Sequence, residues 1–280
     1  MNKYTIRKMR KSEVEIALNW AAKEGWNPGL NDAQIFYDAD PEGFFVGEYE
    51  GEIVAVGSAV CYDENYAFCG LYIVAPEHRG KGFGLALTKA RLAYCEDRNI
   101  GIDGVLENVE VYQSVGYKPY YMNHRFTVLA KRNRAKNPFV REFKESDLQE
   151  VLSYDRQCFP AARQHFLRSW IYQENARVLL YFERDLLLGY AVRRKCVEGY
   201  KVGPLFADNE EIAKEIFLAI QDDIEGQKII LDVPGNNLPA MNLVKDFAME
   251  EIFATMRMYQ RDLPAISHEK IFAITTFELG

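Results

Sequence analysis

Three glycines, Gly80, Gly82 and Gly84, fall within five residues, between an apolar strand-like run, Phe68 to Val74, and an amphipathic helical stretch, Phe83 to Arg98. No other stretch narrows the fold as much. A strand feeding a glycine-rich turn into a helix is an α/β arrangement, and without Cβ atoms the successive backbone N–H groups can converge on one ligand. At a helix N-terminus those donors and the helix dipole make an anion site. Arg79 and Lys81 add charge at its rim. The spacing is not GxGxxG and no GK[ST] follows, so neither a dinucleotide fingerprint nor a Walker loop is present.

The chain around this loop alternates strand and helix patterns. Tyr4 to Met9 reads as an edge strand, and Ser12 with Glu15 reads as a capping box opening a helix to about Ala22. Gly25 and Pro28 break that helix, and Asn31–Asp32 starts another. Phe44 to Glu48 and Ile53 to Cys61 are strands joined by Glu50–Gly51; Val109 to Ser114 is a short helix closed by Gly116, and Tyr120 to Leu129 is a strand. After a basic stretch ending in Pro138, Phe139 to Phe143 followed by Ser146–Asp147 echoes Thr5 to Met9 followed by Ser12–Glu13. The order then recurs: strands at 177–183, 186–197 and 199–206, a helix through Ile220, a strand at 229–233, a helix near Val244 and a closing strand at 255–259. This predicts an α/β fold with a mixed sheet, duplicated as domains 1–130 and 139–280 around a linker at 131–138; two unrelated α/β halves are the alternative. A length of 280 residues also predicts two domains.

Composition removes several function classes. A net charge of −7 offers no concentrated positive face for a phosphate backbone, and the run Lys131, Arg132, Arg134, Lys136 reads as a solvated linker, so no nucleic acid is expected. The five cysteines are odd in number and scattered, with no CxxC pair or metal spacing, which predicts reduced thiols and no metal. No apolar run nears the roughly 20 residues that span a membrane, and residues 1–10 lack a signal-peptide core. The expectation is a cytoplasmic protein, with a homodimer as its assembly state.

Two motifs carry a resemblance. Arg79-Gly80-Lys81-Gly82-Phe83-Gly84 fits R/Q-x-x-G-x-G/A, preceded by V-x-P as Val74-Ala75-Pro76, and Tyr112-Gln113-Ser114-Val115-Gly116-Tyr117 fits Y-x-x-x-G-F/Y. In this order they resemble the GNAT acetyltransferases. The resemblance implies acetyl-CoA as co-substrate, its pyrophosphate on residues 79–84 and its pantetheine paired with the backbone of Tyr72, Ile73 and Val74 as an added strand. It further implies a nearby N–H as oxyanion donor, direct amine attack in a ternary complex, and Tyr112 as proton donor to the leaving thiolate. The family's Asn before the late glycine is Val105 here, and Asn108 is the nearest substitute. Asp103, Glu107 and Glu110, or a water on Tyr72, are candidate bases. The whole chain resembles tandem GNAT proteins, through Cys158-Phe159-Pro160, Gly189 to Arg194, Gly203 to Asp208 and Leu231 to Pro234, with Glu24 to Gly29 and Asp40 to Phe45 in the first half. In the second half no glycine loop follows Lys201 to Phe206, Asp208 serves as a helix cap and Val244 stands where Tyr112 would, so no second CoA site is expected. The resemblance places the acceptor beside the loop joining the first two helices. Trp26, Asn27 and Asp32 are its candidates, with Arg193 and Asp232 from the second half. The implied reaction is acetyl transfer to the amine of a small molecule or amino acid. A non-catalytic acyl-CoA sensor and a protein acetyltransferase are the alternatives.

Overall fold

The computed structural model describes residues 4–133 and 136–280. The first half runs β1 (Tyr4–Lys8), α1 (Val14–Lys23), α2 (Asp32–Ala39), β2 (Phe44–Tyr49), β3 (Glu52–Cys61), β4 (Tyr66–Val74), α3 (Phe83–Cys95), β5 (Asn99–Val105), α4 (Val109–Ser114) and β6 (Lys118–Leu129). The second runs β7 (Val140–Glu142), α5 (Leu148–Cys158), α6 (Gln164–Ile171), β8 (Arg177–Glu183), β9 (Leu186–Lys195), β10 (Tyr200–Ala207), α7 (Glu210–Ile220), β11 (Lys228–Pro234), α8 (Leu238–Asp246), β12 (Glu250–Tyr259) and β13 (Ile271–Ala273). Positions 134 and 135 of the expected linker, Arg134 among them, lie outside the described residues.

Two expected caps are corrected. Helix α1 is not opened by Ser12 and Glu15: Glu13 accepts from the Arg10 amide at 2.7 Å and takes Arg7 in a fork at 2.7 and 2.8 Å. Helix α7 is capped by Asn209, whose side chain accepts from Ile212 N at 3.0 Å. Asp208 instead receives Tyr154 Oη at 2.7 Å and Lys270 at 2.8 Å. Strand β5 is absent from the sequence-based reading, because Gly101, Asp103 and Gly104 interrupt its apolar run; it forms because β4 and β12 flank it on both sides.

The strands join in one sheet, ordered β1-β2-β3-β4-β5-β12-β6-β11-β10-β9-β8-β7, with β13 on β10. Read outward from its centre, the order is the same in both directions. Each half has given its long last strand to the other: β12 lies beside β5, and β6 lies beside β11. Cutting the chain near residues 131–138 would therefore strand both β6 and β12.

Alternation along the strands sorts the core into layers. On one face Val178, Leu180, Tyr190 and Val192 join residues of α1, α2, α5 and α6 in a core common to both halves, where Phe36 stacks on Trp170 at 6.3 Å. On the other face Leu179, Tyr181 and Ala191 pack under α7 and α8, while α3 covers β2, β3 and β4. Among the described residues no helix is long and apolar enough to cross a membrane.

Candidate active site

Strands β4 and β5 are parallel neighbours only from Tyr66–Asn99 to Phe68–Gly101. Beyond that they part, and one edge of β4 is left facing a cleft. A bulge begins the parting: Val56 pairs with Ile73 and Ser58 with Gly70, so one residue more is fitted into β4, and Leu71 takes φ +45°. Arg91 of α3 fastens the bulge from behind, donating to Ser58 O at 2.8 Å and Gly70 O at 3.2 Å.

The glycine loop closes the far end. Gly82 is the N-cap of α3 in the left-handed conformation, φ +83°, with nothing within 4 Å of where a Cβ would stand. That open space in front of a helix N-terminus suits an anion. Gly84 has the opposite reason to be glycine, since a Cβ there would collide with Tyr72 Oη. Arg79 donates to Val74 O at 2.9 Å and pairs with Glu24 at 2.6 Å across the mouth. Lys81 is exposed and does not line the cleft.

From this loop a cleft of about 680 Å³ runs along β4 to an inner chamber walled by Trp26, Leu71, Phe253, Thr255, Phe277 and Glu278. Tyr72, Ile73, Val74, Asn108 and Tyr112 line the stretch between. Tyr112 lies against Gly104, where an added Cβ would fall 2.5 Å from its ring. Burial pushes its hydroxyl above the ordinary value, against a hydrogen bond from Asn108. At neutral pH it therefore carries a proton.

The carboxylates named as bases are placed differently. Asp103 lines the cleft but is occupied: Arg257 forks onto it at 2.9 and 2.6 Å and Asn123 donates at 2.6 Å. Glu107 lines the cleft and Glu110 does not. Glu278 was invisible to sequence reasoning. It lies on the segment after β13, 208 positions beyond Gly70, yet a Cβ on Gly70 would run into its carbonyl. No local signal marks it.

Of the five acceptor candidates only Trp26 reaches the cleft. The other four tie the halves together or lie outside. Asn27 exchanges hydrogen bonds with the Glu198 backbone at 2.9 and 2.8 Å. Asp32 is fully buried and takes Arg194 at 3.0 Å and the Gly29 amide at 2.7 Å. Arg193 turns to the other face of β9 and forks onto Asp223, while its neighbour Arg194 faces the first half. Asp232 forks onto Arg125 at 2.6 and 2.8 Å, and Arg125 holds its carboxyl below the ordinary value despite burial. These are corrections: Asp32 and Asp232 are buried charges consumed by an arginine of the other half, Asn27 is taken up by backbone of the other half, and Arg193 is paired within its own half. They still shape the site indirectly, because Arg125 sits 4.6 Å from the Phe277 ring and, with Lys201, holds the Trp26 carbonyl at 2.7 and 2.9 Å.

In the second half β10 and β11 are likewise parallel only at Tyr200 to Val202. Here the parting is filled: β13 pairs antiparallel with β10 through Leu205 and Phe206, and Ile274 donates to Asp232 O at 2.9 Å. The space that stays open between β4 and β5 is thus occupied by the chain itself. Among the described residues no group of three or more His, Cys, Asp or Glu is placed to hold a metal ion.

Comparison with known proteins agrees with this architecture. Residues 11–117 match the acetyltransferase (GNAT) family and residues 151–273 match an acetyltransferase (GNAT) domain. A holothin acyltransferase of Pseudoalteromonas sp. (strain SANK 73390) is 32% identical over 278 residues, covering 99% of this chain and 95% of that protein. Among solved structures, a Pyrococcus horikoshii protein classed as an acetyltransferase superposes with a TM-score of 0.84 at 20% identity, over 100% of this chain and 97% of its own. A tandem GNAT protein from the clavulanic acid biosynthesis pathway superposes at 0.65 and 14% identity, over 93% and 99%.

Proposed function

The chain belongs to the GNAT acetyltransferase family, as a tandem acyltransferase, and on that premise we propose that it moves an acetyl group from acetyl-CoA to the amine of a small molecule. The observation that carries the reading is the continuity of the cleft from the glycine loop, along the free edge of β4, to the residues Trp26, Phe253 and Phe277. Pyrophosphate would take the N–H groups before α3, pantetheine would add to β4, and the thioester would come to lie between Tyr112 and the chamber. The amine attacks the thioester carbonyl carbon, the C–S bond breaks, and Tyr112 protonates the departing sulfur.

A small acceptor is favoured over a protein because side chains of both halves, Trp26 and Leu71 from the first and Phe253 and Phe277 from the second, converge on the cleft. The holothin acyltransferase, named for a discrete acceptor, points the same way. The test is incubation with acetyl-CoA and an amine library, read by free-thiol release. Turnover that is lost in Gly82→Glu supports the reading; turnover unchanged in that variant overturns it.

A further inference from the structure

The segment 274–280 leaves β13 in the second half and crosses to the bulge of β4 in the first. It is tied at several points. Glu278 N and Leu279 N both donate to Thr276 Oγ1 at 2.9 and 3.0 Å, Tyr62 Oη donates to Leu279 O at 2.8 Å, and Arg163 donates to Thr275 Oγ1 at 2.8 Å. Glu278 is thus held against the wall of the cleft with its backbone locked.

Its side chain is the anomaly. Glu278 is 3% exposed and lines the cleft, yet among the described residues neither carboxylate oxygen has a hydrogen-bond partner. Thr255 Oγ1, on the strand that the second half lends to the first, is also buried, also lines the cleft and is also unpartnered. Buried polar atoms are almost always hydrogen-bonded, and an unpaired buried carboxylate costs several kcal/mol unless something supplies the missing donors. The basic groups around it are engaged elsewhere. Arg125 donates to Asp232 and Arg194 to Asp32, while burial lowers the pKa of Lys201. Lys201 gives a hydrogen bond to Trp26 O at 2.9 Å, and neither Glu278 oxygen takes one from it.

We propose that Glu278 receives the amine of the acyl acceptor, accepting its N–H and then its proton, with Thr255 hydrogen-bonding the same molecule. This rests on the reading of the cleft as an acyl-CoA site. The acceptor is a primary amine on an apolar or aromatic body, because Trp26, Phe253 and Phe277 form the rest of the chamber, with the last two rings 6.0 Å apart. A carboxylate next to its nitrogen would repel Glu278. In the step, one proton of the ammonium passes to the Glu278 carboxylate and on to solvent. The freed lone pair forms the C–N bond, and the C–S bond breaks. The second N–H proton is lost as the adduct collapses, balancing the one that Tyr112 gives to sulfur. The silent half therefore contributes the base to the half that binds the cofactor.

The experiment compares the full-length wild type with Glu278→Gln, Glu278→Asp and Thr255→Val on a panel of primary amines headed by 2-phenylethylamine, with phenylalanine as the carboxylate-bearing analogue. Expected for Glu278→Gln is a 10²- to 10³-fold fall in kcat/KM at pH 7, an acetyl-CoA Kd within twofold of wild type and a melting temperature no lower than that of wild type. Glu278→Asp should recover part of the loss. The deficit should narrow at high pH, where the amine is already neutral. The charged groups facing Glu278 across that range are Arg125 of β6, Arg194 of β9 and Lys201 of β10, with Asp232 and Asp32 behind them. Wild-type turnover with an undiminished Glu278→Gln overturns this proposal alone. A wild type that binds acetyl-CoA but acylates no amine overturns the reading beneath it, and this one with it.

Discussion

Replacing Gly82 by glutamate should weaken acetyl-CoA binding by about two orders of magnitude while leaving the fold largely intact. Two effects add. The residue is left-handed, φ +83°, which costs a non-glycine side chain about 1–2 kcal/mol. That strain acts on the free protein, because no atom lies within 4 Å of the new Cβ. The second effect acts on the ligand. A carboxylate at the N-cap of α3 stands where the pyrophosphate charge would, and two like charges about 5 Å apart repel by roughly 3 kcal/mol at an effective dielectric of about 20. That is on the order of a hundredfold in Kd, decreasing with added salt. Gly82→Ala separates the two, since it has the strain without the charge. It should lower the melting temperature about as much as Gly82→Glu and bind acetyl-CoA nearly as well as wild type. Calorimetry at 50 and 500 mM salt is the assay. Equal weakening in both variants, or none in Gly82→Glu, would mean that no ligand charge stands at the N-cap of α3.

Three further outcomes are expected. Tyr112→Phe should lower kcat by about 10²-fold or more with acetyl-CoA Kd unchanged, read by steady-state kinetics beside calorimetry; because burial raises the Tyr112 pKa, no loss of activity near neutrality should trace to its ionisation. Arg257→Met leaves the buried Asp103 carboxylate without its fork and should cost about 3–5 kcal/mol in urea titration, whereas the double variant with Asp103→Leu should regain most of it. Glu13, held down to about 2 by its hydrogen bonds to Arg7, has a folded pKa below its unfolded value of about 4.3. Its contribution to stability is complete above the unfolded value and disappears as pH falls through about 2, so Glu13→Gln should flatten that acid limb in pH-dependent melting.

What could be read along the chain was what depends on neighbours in sequence. The glycine loop and the Tyr112 helix are each contained in a dozen residues, and the echo between Thr5 to Met9 and Phe139 to Phe143 is a short local pattern that occurs twice. The acceptor side failed where long-range pairing decides. Arg193 and Arg194 differ by one position, and strand parity alone sends Arg194 to Asp32 and Arg193 to Asp223. Asp32, Asn27 and Asp232 were rightly polar residues near the junction, but each is satisfied by a partner 107 to 171 positions away, which no pattern in the chain announces. Glu278 shows the converse. It sits in an unremarkable Thr-Thr-Phe-Glu-Leu-Gly stretch and matters because β13 fills the second parting and aims the last seven residues at the first. The exchange of β6 and β12 was likewise beyond reach, because both strands look like ordinary closing strands of their own halves.

If one half binds acetyl-CoA and the other completes the cleft in which the acyl group is transferred, a crystal structure with acetyl-CoA bound will hold one acetyl-CoA per chain. Its pyrophosphate should lie on the N–H groups at 80–84, its pantetheine along Tyr72 to Val74 and its thioester between Tyr112 and Glu278. Acetyl-CoA between β10 and β11 with β13 displaced, or a thioester facing away from Glu278, would contradict that division between the halves.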